Sequence, residues 1–387
     1  MSLFAPAPPP PTSLGRYRIL SSHAGVRVSP LQLGAMSIGD QWAMAGTMSK
    51  ETAFDLLDTF VAAGGNFIDT ANNYQYERSE KWLGEWMTER NNRDLLVLAT
   101  KFTTQYRSHE LGPGKSVNYC GNHAKSIHMS VAASLKKLQT TYIDILYLHW
   151  WDYTTSIKEV MDTLHTLVLQ GKVLYLGISD TPAWVVSAAN TYAIDNGKTP
   201  FCIYQGRWNV MRRDFERDII PMARQFGLAL APWDVVGGGK FKTKEEVERR
   251  MKSAEGLRSR AGVFGQPVIT EEEAKMTEAL LKVGSEHGID SPTAVAIAYV
   301  MAKAPNVFPI VGVRSKEQLE SNIKALDIIL TKEQIEYLEG VFNFDKGFPL
   351  DMIGDDPRST GVPGILVGSS APMAYNKNFR AIGYEDL

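Results

Sequence analysis

The stretch GGNFIDTANNY, residues 64–74, decides how the rest of the chain is read. Two glycines lead into an apolar run, 66–69, whose β-branched Ile68 suits a parallel strand covered on both faces. Asp69 falls at the carboxyl end of that strand, and a polar loop then carries the chain to Tyr74. In open α/β sheets and in (β/α)8 barrels, ligands meet the chain at that end of the strands.

Outward from this stretch the chain alternates. Toward the N-terminus lie a helix opened by Ser49, a buried strand at about 31–36, and YRIL (17–20) and VRVS (26–29), whose spacing predicts a hairpin. A proline-rich arm, 1–16, precedes them. Toward the C-terminus, helix 77–89, strand 94–101 and a long loop at 102–121 follow. Helix 122–138, strand 142–149, helix 156–170, strand 172–179 and helix 181–195 come next. Strand 201–205, helix 211–226 and strand 228–233 continue the pattern up to an insertion at 234–270, which contains GGGK, Phe241 and Phe264 and reads as an ordered lid. Helices 271–286 and 291–303, strand 307–311 and helix 315–326 complete eight strand-helix units. Eight such units predict a single α/β fold, a (β/α)8 TIM barrel over 17–330, with a helix at 331–342 and a tail to 387 packed on it. A doubly wound sheet is the competing architecture. It usually carries G-x-G-x-x-G after its first strand, and GAMSIGD does not fit.

Composition narrows the function classes. The 387 residues are 44% hydrophobic, with a net charge of -2 and a pI near 6.4, which argues against a dedicated nucleic-acid or membrane surface. The densest basic stretch, 240–252, is interleaved with glutamates and reads as a solvated helix face. Two cysteines, Cys120 and Cys202, make no disulfide framework, and the seven histidines are scattered without metal-ligand spacing, so no metal is expected. The chain opens without a basic or apolar signal segment and has no apolar run of about 18 residues, so a cytoplasmic protein is the default expectation.

Asp69 with Tyr74, Lys101 and His149 lie at or just beyond the ends of successive strands. Singly, each has an ordinary reading: a turn cap, a surface aromatic, a solvated strand end, a satisfied core histidine. A barrel brings those ends to one rim, where together they suit proton donation to a carbonyl oxygen. An ammonium beside a phenol favours release of the phenolic proton, so Lys101 would assist Tyr74 as general acid, Asp69 would hold Lys101 charged, and His149 would orient the carbonyl. The set lacks a hydride source, so a cofactor is required.

GGNFIDTANNY, ATKF, LYLHWWD, LGISD, YQGRWNV and IVGVRSKEQLESN, in this order, resemble the aldo-keto reductase superfamily, and several stretches are similar to fungal aryl-alcohol dehydrogenases. The likeness runs from about Gly34 to Leu326. It implies a (β/α)8 barrel that binds NADP(H) without a Rossmann motif and uses Asp69, Tyr74, Lys101 and His149 as a catalytic tetrad. It also implies that Ser179, Asp180 and Gln205 hold the nicotinamide carboxamide and that Trp233 stacks on the ring. Asp180 departs from the family's usual asparagine: it accepts hydrogen bonds but donates none, and it equally suits a cap for the helix opening at Thr181 and Pro182. Gly237, Gly238 and Gly239 permit close backbone approach to a pyrophosphate or simply form a tight turn. Gly312, Arg314, Ser315 and Lys316 precede or open a helix, where an extra phosphate is favoured; this is the argument for NADP. Gln318 and Asn322 lie one turn apart on that helix, and the resemblance implies contacts with adenine and its ribose phosphate.

Trp42, Trp150, Trp151, Tyr153 and Trp208 follow strands one, four and six, and rim aromatics there would suit a planar aromatic aldehyde or its alcohol as small-molecule substrate. Three alternatives stay open at this point: reduction of a polyketide or quinone ketone, a cofactor-sensing subunit with little turnover, and a phosphate-binding lyase or isomerase. Oligomeric state is not readable from these residues.

Overall fold

A computed structural model describes residues 5–42, 48–242 and 269–375. Strands β1 (Arg18–Ser21) and β2 (Ala24–Val28) form an antiparallel hairpin. The barrel strands are β3 (Gln32–Gly34), β4 (Phe67–Asp69), β5 (Val97–Phe102), β6 (Ile143–Leu148), β7 (Val173–Ser179), β8 (Phe201–Arg207), β9 (Ala229–Trp233) and β10 (Ile310–Val311). From β3 to β9 each strand pairs in parallel with the next, and β10 pairs with β3.

The ring closes at a broken strand. Leu230 of β9 bridges Val307, with Leu230 donating to Asn306 and Phe308 donating back to Leu230, whereas Ile310–Val311 turn to Gln32–Leu33 on the other side. Pro309, which has no N–H to give to a ladder, lies between the two pairings and offers its carbonyl to Gln32 at 2.9 Å. The predicted strand 307–311 is therefore present as two short pairings.

Helices α1 (Lys50–Ala62), α2 (Arg78–Arg90), the short α3 (Ser108–Leu111), α4 (Ala124–Lys137), α5 (Ile157–Leu169), α6 (Ala183–Asp195), α7 (Ile219–Phe226), α8 (Glu271–Glu286), α9 (Pro292–Lys303) and α10 (Lys316–Ile323) follow or connect the strands. Their apolar stripes face the sheet; in α5, for example, Val160, Met161, Leu164 and Leu167 are buried at helical spacing. The larger core lies between helices and strands. A second core fills the barrel, where Phe67, Val97, Ile145, Tyr147, Ile203 and Phe308 pack with Leu20, Ala24 and Val28 of the hairpin. The hairpin thus plugs the end of the barrel opposite the strands' carboxyl ends.

Helix α7 begins eight residues later than the pattern at 211–226 predicts. Asn209 accepts from the amides of Met211 and Arg212, winding that segment into a tight turn, and Pro221 lies in the first turn of α7, where its missing N–H costs nothing. Helix α11 (Lys332–Glu339) starts with a capping box, Thr331 and Gln334, and is tied to the barrel by Glu339, which pairs with Arg213 at 3.0 Å and with Lys303. The short helices Leu350–Ile353, Pro357–Thr360 and Ile365–Gly368 follow. Most of the insertion at 234–270, including Phe264, and most of the basic stretch at 240–252 lie outside the described residues. No helix among the described residues is long and apolar enough to cross a membrane.

Helices α2 and α4 approach each other at Gly84, where a Cβ would lie 2.2 Å from the carbonyl oxygen of Lys137 and 2.8 Å from the carbonyl carbon of Leu138. Backbone cannot retreat as a side chain can. Gly84→Ala is expected to lower stability by about 1–3 kcal/mol, the usual cost of overpacking; thermal unfolding reads it, and an unchanged melting temperature would contradict the close approach.

Candidate active site

Strand register brings the candidate residues together. Asp69 is aligned with Ala99, two residues before Lys101, and Lys101 is aligned with Tyr147, two residues before His149. The β4–β5 ladder then continues past the strand end, with Thr70 donating to Ala99 and Asn72 to Lys101, so the loop toward Tyr74 is held by backbone bonds.

Lys101 has no solvent exposure. Its Nζ donates to Asp69 Oδ1 at 2.5 Å, to the carbonyl of Thr70 at 2.6 Å and to Tyr74 Oη at 3.5 Å, which uses the three donors of an ammonium. Burial alone would lower the lysine's pKa, but the charge of Asp69 and the hydrogen bonds to Asp69 and Tyr74 outweigh it and leave it raised, so Lys101 stays charged. Asp69 Oδ2 accepts from Gln205 Nε2 at 3.0 Å. Tyr74 is half-buried and meets the ring edges of Trp42 at 6.1 Å and His149 at 6.0 Å. Thr104 Oγ1 lies 3.3 Å from His149 Nδ1 and accepts from Trp150 Nε1 at 2.9 Å.

Tyr74 precedes an unusual turn. Gln75, Tyr76 and Glu77 all have positive φ, at 53°, 49° and 71°, and none is glycine or asparagine. Each costs about 1 kcal/mol or more unless its surroundings impose it. Gln75, fully buried, supplies one restraint: its Oε1 accepts from the amides of Gln41 at 2.9 Å and Trp42 at 2.7 Å, and its Nε2 donates to the Met36 carbonyl at 2.9 Å. The loop carrying Trp42 is thereby fastened to the turn that carries Tyr74.

These residues open into a cleft of about 1110 Å³. Asp69, Tyr74, His149, Asp180, Gln205, Trp233, Gly238, Gly239, Gly312, Arg314, Ser315, Gln318, Asn322 and Trp42 line it. Ser179 is fully buried beside Gln205 in the β7–β8 register, and its Oγ has no hydrogen-bond partner among the described residues. The Asp180 carboxylate accepts from Trp233 Nε1 at 3.1 Å, so it serves the ring that the sequence places at the rim rather than capping α6. Gly237, Gly238 and Gly239 take φ of 60°, 65° and 82°, a run open to glycine, and Gly237 backs onto the ring of buried Phe241. Ser315 caps α10, and Gln318 Oε1 accepts from the Arg314 amide at 2.9 Å.

The structure places several of the expected residues away from this cleft. Trp208 is 0% exposed and stacks on Phe215 at 5.4 Å, because β8 runs on to Arg207 and turns the next side chain into the core. It does not reach the cleft. Trp151 packs against the core, Trp150 is spent on Thr104, and Tyr153 points to solvent; none of the three lines the cleft. Lys316 on α10 places its Nζ 3.8 Å from Asp55 of α1, and neither Lys316 nor Gly237 lines the cleft. Unforeseen lining residues include Met36, Asn73, Lys242, Glu317 and the start of α9 at Asp290, Ser291 and Thr293. The Ser291-Pro292 pair, a helix-opening signature, could have signalled the last of these.

Comparison with known proteins finds relatives along nearly the whole chain. The model of the aldo/keto reductase family matches residues 30–343. The chain is 59% identical to the aldo-keto reductase ausK of Aspergillus calidoustus, over all of this chain (100%) and 97% of that one. It is 56% identical to the aryl-alcohol dehydrogenase [NADP(+)] of Phanerodontia chrysosporium, over 92% of this chain and 93% of that one. It is also 52% identical to the norsolorinic acid reductase of Emericella nidulans, over 91% and 88%.

Gln75→Leu removes the amide while keeping the bulk, leaving two amides and a carbonyl without their partner. Stability in urea is expected to fall by about 1–3 kcal/mol with an unchanged slope. A loss below about 0.5 kcal/mol would mean that the Trp42 loop does not depend on this clamp.

Proposed function

The chain belongs to the aldo/keto reductase family and is an oxidoreductase; from that premise we propose that it reduces aromatic aldehydes reversibly to benzyl-type alcohols with NADP(H). The observation that carries the reading is the contact of the buried Lys101 ammonium with Tyr74 Oη at the cleft.

Fit to a nicotinamide dinucleotide rests on the chain's own groups. The orphaned hydroxyl of Ser179, with Gln205 beside it, suits the carboxamide. Gly312 has open space where a Cβ would stand, and the positive-φ glycines admit close approach of a pyrophosphate. Arg314 and Ser315, with Lys242 also lining the cleft, suit an additional phosphate, which favours NADP over NAD, as does the likeness to an enzyme named for NADP(+). When bound, NADPH supplies the hydride that the side chains cannot.

The side chains then manage the proton. Tyr74 Oη accepts from Lys101, so its own hydrogen is free for the carbonyl oxygen of the substrate, and the ammonium stabilises the phenolate that proton transfer leaves behind. His149 is the second group at hand to orient that oxygen. Trp42, its edge against Tyr74, offers an aromatic wall to a planar ring. A second reading, reduction of a polyketide or quinone ketone, is favoured by the likeness to a norsolorinic acid reductase.

The test is oxidation of NADPH, followed by absorbance, with 3,4-dimethoxybenzaldehyde and separately with an anthraquinone ketone, for the unmodified chain and for Tyr74→Phe. The expected result is turnover of the aldehyde, slower turnover with NADH, and loss of on the order of a hundredfold or more in Tyr74→Phe. Turnover of the ketone alone selects the second reading, and an undiminished Tyr74→Phe contradicts the assignment of the proton donor.

A further inference from the structure

Lys137, the last residue of α4, has no place in the tetrad, yet with Lys101 it is one of two buried lysines among the described residues, 9% exposed. Its Nζ lies 3.1 Å from Glu77, 2.7 Å from Glu80 and 3.0 Å from the carbonyl of Asn72, with the ring of Tyr106 at 4.9 Å. Asn72 stands two residues before Tyr74 and Glu77 three residues after it. One ammonium therefore grips both ends of the segment that carries Tyr74. Glu80 extends the grip, because its other oxygen accepts from Thr100 Oγ1 at 2.6 Å, and Thr100 is the neighbour of Lys101 in β5.

We infer that Lys137 is a positioning residue for Tyr74, holding the left-handed turn at Gln75–Glu77 so that the phenol stays within reach of Lys101. The inference rests on the reading of Tyr74 as proton donor. Its physical basis is the strain in that turn. Three successive positive-φ residues persist only where surrounding contacts impose them. Tyr76 is exposed and its ring rests on His109, so it restrains little, and Gln75 ties the turn to the Trp42 loop rather than to β5. Glu77 is 4% exposed, and on the far side of Tyr74 its side chain is linked to β5 through Lys137 and Glu80, which accepts from Thr100. A buried pair of carboxylates around one cation is a costly way to fill space, since apolar side chains of similar volume often serve stability as well or better. Here the arrangement couples the proton donor's loop to the strand that presents Lys101. Without the ammonium, Glu77 would keep only the imidazole of His109, 3.7 Å away, and Glu80 only Thr100, and the turn would relax. A displacement of about 1 Å in a reacting group costs on the order of a hundredfold in rate.

The experiment uses the full chain with Lys137→Met, which keeps the length of the side chain, and Lys137→Arg, which keeps the charge. Turnover number and KM for 3,4-dimethoxybenzaldehyde are measured beside the dissociation constant of NADPH, read by fluorescence, with Tyr74→Phe as reference. The expected result is a kcat lower by on the order of a hundredfold in Lys137→Met, with NADPH affinity within about threefold of the unmodified chain and at least a tenth of the lost rate restored in Lys137→Arg. If Lys137→Met does not fold, Glu77→Gln and Glu80→Gln combined with it remove the unpaired charges along with the ties, and a folded, NADPH-binding, slow enzyme is expected. A kcat within about threefold of the original in whichever variant folds overturns the inference. Parallel loss of NADPH affinity and rate overturns it as well, since a general loosening would produce that. An active Tyr74→Phe would instead sink the proton-donor reading on which the inference stands.

Discussion

A lysine ammonium with no exposure to water is the constraint around which this structure is arranged. Removing a charge from water costs several kcal/mol even after the protein relaxes, and the cost is met only where acceptors are already in place. Asp69 and the Thr70 carbonyl supply two of them, and Tyr74 takes the third position. Parallel register sets the first two: β4 and β5 are aligned so that the end of one strand meets the side chain two residues along the next. The barrel is thus more than a platform for the site. Its closure through β9, the broken strand and β10 fixes the relative heights of the strands from which Asp69, Lys101 and His149 project.

Tyr74 differs from those three because it stands on a loop. Loop residues hold a position only as well as their restraints do, and those around Tyr74 come from several directions. Backbone bonds run from β5 to Asn72, the buried amide of Gln75 fastens the Trp42 loop, and ion pairs join Glu77 and Glu80 to α4. Gly84 belongs to the same arrangement, since its missing Cβ lets the end of α4, and hence Lys137, come close to α2. Packing, strain and charge therefore converge on a few residues on either side of Tyr74.

The fold was legible because its signals are periodic. Eight apolar runs separated by capped, amphipathic helices permit few arrangements, and the comparisons and the strand order agree on the barrel. That Asp69, Lys101 and His149 fall at or just past the ends of neighbouring strands was legible for a related reason: polar residues that end apolar strands stand out. The turn at Gln75–Glu77 was hidden, because Gln, Tyr and Glu give no sign of a left-handed backbone, and the segment reads as an ordinary entry to α2. Lys137 was hidden because a lysine at the end of a helix has a ready surface explanation in the helix dipole. Trp208 misled because a tryptophan just past a strand fits either rim or core, and the extra length of β8 decides for the core. Asp180 turned on a long-range contact, the hydrogen bond from Trp233, which no local pattern encodes.

Lys101→Met tests most directly whether the buried ammonium of Lys101 acts on Tyr74. The measurement is single-turnover oxidation of bound NADPH by 3,4-dimethoxybenzaldehyde, alongside NADPH binding to the same variant. The expected result is a chemical step slower by about 10²–10⁴-fold, the range for disabling a general acid, in a folded protein that still binds NADPH. A step within about threefold of the unmodified rate would mean that the ion pair serves the fold alone and that proton transfer is organised elsewhere.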